Sequence, residues 1–200
     1  MRKLLFVRAS IFGDDGQSSK LADAFLQRFT GAHRGASVVV RDVQQPAVPH
    51  LDAATFQAFG TPPDAVTDTD RALLRLSDEL IAELKDATDL LIALPLYNFA
   101  IPSAFKAWID HIARARQTFR YTEKGPQGML GNITHCWVMA ARGGQYQNTA
   151  NDTQTPYLTT MLGFLGIPKP IFVYAEGLAR PDVRAASLAK AHQTVAELTL

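Results

Sequence analysis

Apolar runs and helical stripes alternate along this chain. Residues 4–7 are an unbroken apolar run, the mark of a strand buried on both faces of a parallel sheet. A polar loop over 9–18 leads into a helix over 19–29, with Leu21, Ala22, Phe25 and Phe29 on one face. Residues 37–43 predict a second strand. The stretch 44–69 holds four prolines and several aspartates, and reads as a long connection with a short helix around 53–59. Residues 70–85 carry Leu73, Leu76, Leu80, Ile81 and Leu84 at helical period. A third strand over 90–94 and a helix from Pro102 to about Arg114 follow. Residues 118–126 alternate and end in Gly-Pro, which suggests a hairpin or extended flap. A fourth strand (135–140), a helix (155–165), a fifth strand (170–174) and a closing helix (182–198) complete the chain.

That order predicts one domain over 1–200: an α/β, doubly wound parallel sheet with helices on both faces. Five strands favour the flavodoxin-like order over a six-stranded dinucleotide fold. Sheets of this kind bind ligands at the carboxyl ends of their strands, so the loops that follow strands hold the candidate chemistry.

Three such loops stand out. After the third strand come Leu96, Tyr97, Asn98 and Phe99. Two aromatics beside a carboxamide suit a flat, hydrogen-bonding ring such as a flavin, although an ordinary loop with a buried Phe has the same pattern. After the first strand, Ser10 and then Gly16, Gln17 and Ser18 offer hydroxyls and helix N-terminal amides to a phosphate. Plain N-capping by Ser18 or Ser19 would use the same residues, and Asp14 and Asp15 oppose an anion unless they point outward. No G-x-G-x-x-G or P-loop pattern occurs there. After the fourth strand, Ala141, Arg142, Gly143 and Gly144 let backbone amides approach a ligand, with Arg142 able to add charge; a flexible turn is the alternative. The convergence of three loops on one crevice says more than any one of them.

Composition narrows the field. The chain of 200 residues is 47% hydrophobic with a net charge of +1, so nothing advertises nucleic acid, acidic lipid or a highly charged partner. Cys136 is the only cysteine, which excludes an internal disulfide and points to a reducing compartment; within an apolar run it reads as a buried, inert thiol. Arg8 and Ser10 cut the first apolar run short of a signal-peptide core, and no segment approaches the roughly 20 apolar residues of a membrane span. A soluble, cytoplasmic protein is expected. There is no Gly-x-Ser-x-Gly elbow. His33, His50, His111, His135 and His192 lack ligand spacing, so no metal is expected; His111, on the helix after the ring-binding loop, is the one that could touch a ligand.

Longer matches then emerge. Tyr97-Asn98-Phe99-x-Ile101-Pro102-Ser103, Ile112-Ala113-Arg114-Ala115, the run from Thr118 to Pro126, Arg142-Gly143-Gly144, Gly163-Phe164-Leu165-Gly166-Ile167 and Ala175-Glu176-Gly177 closely resemble the FMN-dependent NADH azoreductases, also called FMN-dependent NADH:quinone oxidoreductases. The resemblance covers nearly the whole chain and is densest between Pro95 and Pro126.

It implies a flavodoxin-like homodimer with one non-covalent FMN per subunit at the interface. The phosphate falls on Ser10, Gly16, Gln17 and Ser18, and the isoalloxazine on Leu96, Tyr97, Asn98, Phe99, Ala141, Arg142, Gly143 and Gly144. Phe119 and Tyr121 correspond to flap aromatics that wall the substrate pocket, expected from the dimer mate. The implied activity is two-electron reduction of quinones and aromatic azo compounds by NADH or NADPH. The flavin N5 carries the hydride, so no catalytic acid or base is expected. The family usually has Ser at positions 16 and 141, where this chain has Gly16 and Ala141; each lost hydrogen bond would cost about 1 kcal/mol. The alternative is an FMN electron carrier of flavodoxin type. Such carriers are typically acidic, unlike this balanced chain.

Overall fold

The computed structural model describes residues 1–200. Five parallel strands, β1 (Lys3–Arg8), β2 (Ser37–Asp42), β3 (Asp89–Pro95), β6 (His135–Ala141) and β7 (Ile171–Ala175), form a sheet in the order β2-β1-β3-β6-β7. The intervening β4 (Phe119–Thr122) and β5 (Gly125–Gly128) pair antiparallel as a separate hairpin, as the alternation over 118–126 predicts. The helices are α1 (Gln17–Ala32), α2 (Ala53–Gly60), α3 (Asp68–Asp86), α4 (Ser103–Ile112), α5 (Gln154–Phe164) and α6 (Pro181–Glu197).

Strand periodicity sorts the core into two layers. Leu4 and Phe6, Leu91 and Ala93, and Trp137 and Met139 face α1 and α6, where they meet Phe25, Phe29, Ala191 and Val195. Their neighbours Leu5 and Val7, Leu90, Ile92 and Leu94, and Cys136, Val138 and Ala140 face the opposite layer, with Leu80 and Leu84 of α3, Trp108 of α4 and Leu158 of α5. Register is fixed by this alternation, because a one-residue slip would exchange the two layers. Cys136 is buried as expected, and burial pushes its thiol far above the ordinary range.

Several boundaries differ from the sequence expectation. Helix α1 begins at Gln17 rather than residue 19, with Gly16 as its cap; neither Ser18 nor Ser19 caps it. Helix α3 begins at Asp68 because Thr67 and Asp70 form a capping box: the Asp70 amide donates to Thr67 Oγ1 at 3.1 Å, and the Thr67 amide donates to Asp70 Oδ2 at 2.9 Å. Its buried stripe is Leu74, Ser77, Leu80, Ile81 and Leu84, while Leu73 and Leu76 are only half-buried. Ser77 turns inward because its hydroxyl donates to the His111 carbonyl at 2.7 Å.

The amino end of the sheet is a stability device. Asp89 is buried there, bound by Arg2 and by Thr88 Oγ1 at 2.7 Å. Burial opposes its ionisation, but the bonds from Arg2 and Thr88 prevail and hold its carboxyl below the ordinary range.

Candidate flavin site

The loop after β1 folds into a tight knot. Its chain makes a 3-10 turn at Gly13–Asp15, entered through Gly13 at φ +53°. Ser10 is buried, and its Oγ accepts from the Phe12 amide at 3.2 Å. A Cβ on Gly16 would lie 2.2 Å from Ser10 Oγ and 2.7 Å from Ser10 Cβ. The hydroxyl of Ser10 thus fills the space that a side chain at position 16 would take. From Gly16 the chain enters α1, whose ladder starts with the Lys20 amide on the Gly16 carbonyl at 3.0 Å. The amides of the first turn precede that ladder and remain available as donors. The Ser18 and Ser19 hydroxyls beside them are buried and have no hydrogen-bond partner. Asp14 is drawn off by Arg8, while Asp15, exposed, lies 3.8 Å from Lys20.

The loop after β3 is held in an uncommon shape. Tyr97 and Ala100 exchange two backbone hydrogen bonds of 2.9 Å, closing a turn whose central residues, Asn98 (φ +50°) and Phe99 (φ +58°), are both left-handed. Asn tolerates that conformation; an aromatic residue adopts it at a cost of about 1 kcal/mol. The result pushes Phe99 outward, 53% exposed, with its ring 5.3 Å from that of Tyr146. The Ile11 amide donates to the Tyr97 hydroxyl at 3.4 Å, which links this loop to the first.

After β6, residues 142–144 pair with the loop that follows β7. The amides of Gly177, Leu178 and Ala179 donate to the carbonyls of Gly144, Arg142 and Gly143 at 2.9, 3.1 and 3.0 Å. The Tyr146 ring packs against Gly144, where a Cβ would lie 2.3 Å from it, so a side chain there would displace the ring. Arg142 does not offer its charge to the crevice. Its guanidinium is buried, 4.7 Å over the Tyr174 ring, and donates to Gln154 Oε1 (3.1 Å), Glu176 Oε1 (3.1 Å), Asp152 Oδ1 (3.0 Å) and Thr155 Oγ1 (2.9 Å). Burial opposes ionisation of Asp152, but hydrogen bonds from Thr155 and Arg142 prevail and keep its carboxyl below the ordinary range. The carboxylates thus claim the side chain, and the Arg142 amide and carbonyl are bonded to Ala175 and Leu178 at 2.8 and 3.1 Å, so position 142 lines the cavity without a free donor.

These loops meet around a cavity of about 270 Å³ lined by Ser10, Phe12, Asp15, Gly16, Gln17, Pro95, Leu96, Tyr97, Ala141, Arg142, Gly143, Leu178 and Arg184. Ser18, Asn98, Phe99 and Gly144 sit in the same loops but do not line it. Phe119 and Tyr121 do not line the cavity of their own chain either. Phe119 is buried with its ring 4.6 Å from Phe164, whereas Tyr121 is 77% exposed on the hairpin. His111 is committed elsewhere: it is buried, with Nε2 3.1 Å from the Pro49 carbonyl. Sequence reasoning did not name Phe12 and Pro95, which lie in or beside the loops it singled out, and it missed Leu178 and Arg184, which come from the connection after β7 and the start of α6. No motif marks them; only the sheet order brings β7 alongside β6.

Comparison with known proteins gives the family and the fold. A family model described as flavodoxin-like fold matches residues 2–198. An FMN-dependent NADH:quinone oxidoreductase of Alcanivorax borkumensis is 48% identical over 181 residues, 90% of each chain. FMN-dependent NADH:quinone oxidoreductase 6 of Burkholderia lata is 44% identical over 198 residues, 98% of this chain and 99% of that one. Among solved structures, an FMN-dependent NADH-azoreductase of Bacillus anthracis in complex with FMN superposes with a TM-score of 0.86 at 28% identity, covering 100% of both chains.

Proposed function

The chain belongs to the flavodoxin-like family of FMN-dependent NADH:quinone oxidoreductases, and from that premise we propose that it reduces quinones and aromatic azo compounds by two electrons, using NADH or NADPH through one non-covalent FMN per subunit. The observation that carries this reading is the convergence of the loops after β1, β3 and β6 on one cavity. The residues present fit FMN. A phosphate at the first turn of α1 would give acceptors to the free amides there, beside the buried and unpartnered Ser18 and Ser19 hydroxyls. Ser10, packed into the space beside Gly16, replaces a hydroxyl at position 16.

When bound, FMN supplies the hydride chemistry, taking two electrons from the nicotinamide and passing them to the acceptor. The protein's part is placement. Leu96 and Tyr97 offer an apolar edge and a ring at the cavity wall, and Ala141 and Gly143 bring backbone close without side-chain bulk. Phe99, pushed outward by its left-handed turn, is positioned as an aromatic wall on the substrate side. We extend the reading to a homodimer in which Tyr121, braced by Phe119 at 5.5 Å, covers the partner's site; both Phe99 and Tyr121 leave aromatic surface uncovered in one chain. No helix is long and apolar enough to cross a membrane. A cytoplasmic setting, where nicotinamide donors are supplied, completes the proposal.

The decisive experiment is anaerobic reduction of the FMN-loaded protein by NADH, followed by a benzoquinone. Bleaching of the visible flavin band and its full recovery on adding quinone are expected. A flavin that stays oxidised with both NADH and NADPH would replace this reading with that of an electron carrier.

A further inference from the structure

We propose that Arg184 is a phosphate-binding residue, the counter-charge for the flavin's phosphomonoester at the first turn of α1; this rests on the FMN reading above. Helices α1 and α6 lie side by side on one face of the sheet, and both start at its carboxyl edge. Arg184, in the first turns of α6, lines the same cavity as Ser10, Gly16 and Gln17. Its Nη1 donates to the Leu178 carbonyl at 2.8 Å, which ties the guanidinium to the cavity rim. Its neighbour Arg180 is paired with Asp182 at 2.6 Å, but Arg184 has no carboxylate partner.

Arg184 is exposed, and electrostatics favour an anion beside it. A basic residue near a helix N-terminus faces the positive end of the helix dipole, an arrangement that disfavours it while the site is empty of charge. A phosphate between the starts of α1 and α6 reverses the sign of that interaction, and a guanidinium can donate to two of its oxygens. The rest of the cradle is poor in charge: the first loop supplies hydroxyls and amides, Gly16 adds no side chain, and Asp15 stands on the rim as an opposing carboxylate. Arg184 therefore distinguishes the phosphorylated flavin from its unphosphorylated form, rather than recognising the ring.

The test compares binding of FMN and riboflavin to apoprotein, by flavin fluorescence quenching, for the unsubstituted chain, Arg184→Gln and Arg184→Lys. FMN affinity is expected to fall about five- to tenfold in Arg184→Gln, with part recovered in Arg184→Lys. Riboflavin affinity should not change, and the FMN difference should shrink at high salt. An equal loss for both flavins would show that Arg184 only braces the Leu178 carbonyl, and would overturn the assignment. So would unchanged FMN affinity with a raised KM for NADH, which would give Arg184 to the dinucleotide's phosphates. Failure of the unsubstituted chain to bind either flavin would instead remove the FMN reading itself.

Discussion

Arg142 and Gln154 join two ligand loops through one side chain. Arg142 Nε donates to Gln154 Oε1 at 3.1 Å, and Gln154 Nε2 donates in turn to the Pro95 carbonyl at 3.1 Å. Thr153, the residue before, donates to the Phe99 carbonyl. The start of α5 thus holds the end of β3 and the Tyr97–Ala100 turn against the loop after β6. Arg142 is a positioning residue whose effect on the site passes through these bonds.

Arg142→Met leaves Asp152 and Glu176 without their cation in a poorly hydrated place. Breaking such a pair costs about 3–5 kcal/mol, so a large drop in urea-unfolding stability is expected. Arg142→Lys keeps the charge but cannot serve four acceptors at once, and should fall between the two. Denaturation followed by tryptophan fluorescence checks both.

The same network sets an acid limit. The Asp152 carboxyl titrates below its ordinary value of 3.8 in the folded chain. A depressed folded pKa contributes stability that is present above the unfolded pKa and lost as pH falls through the folded one. Stability from this pair should therefore hold through neutral and mildly acidic pH and decline only below about 3.8. Asp152→Asn should flatten that part of the pH–stability curve, which melting temperatures across an acid series would show.

Phe99 occupies a backbone conformation that its side chain disfavours. Phe99→Asn should relieve that strain and stabilise the apoprotein by about 0.5–1 kcal/mol. The same change removes the aromatic surface beside Tyr146 and should raise the KM for quinones. A variant that is more stable yet a poorer enzyme would show that the strain serves the site; equal activity would end that interpretation.

Restoring the family's serine at position 16 should harm rather than help. In Gly16→Ser the new Cβ meets both heavy atoms of the Ser10 side chain, so weaker FMN binding and a destabilisation of about 1–3 kcal/mol are expected. Ser10→Gly combined with Gly16→Ser should recover much of the loss. The interaction energy of that double-mutant cycle measures how far the two positions substitute for one another.

Strand identity and the helices on both faces of the sheet were legible in the sequence because both rest on local rules. The unbroken apolar run Leu90 to Leu94 reads as a strand buried on both faces, while which residues meet α1 and α6 and which meet α3 and α4 was decided by the fold. Tyr97, Ser10 and Gly143 were placed at the carboxyl edge by topology alone, since every strand in such a sheet ends there. Helix starts were less legible. Gly16 displaced Ser18 and Ser19 as the cap of α1 because the 3-10 turn at Gly13–Asp15 delivers the chain into the helix about two residues early.

What the tertiary structure decided were the destinations of long side chains and the neighbours of distant segments. Arg142 follows a strand and reads as a ligand contact, yet its reach lets it choose between the crevice and carboxylates 10 and 34 residues away. It goes to the carboxylates because a buried guanidinium needs anions more than a ligand needs one more donor. Arg184 has no motif around it and reaches the cavity only because β7 pairs with β6 and α6 lies beside α1. Periodicity and turn chemistry act over a few residues and can be read from the chain. Charge pairing acts across the fold, so its outcome appears only when the elements are assembled.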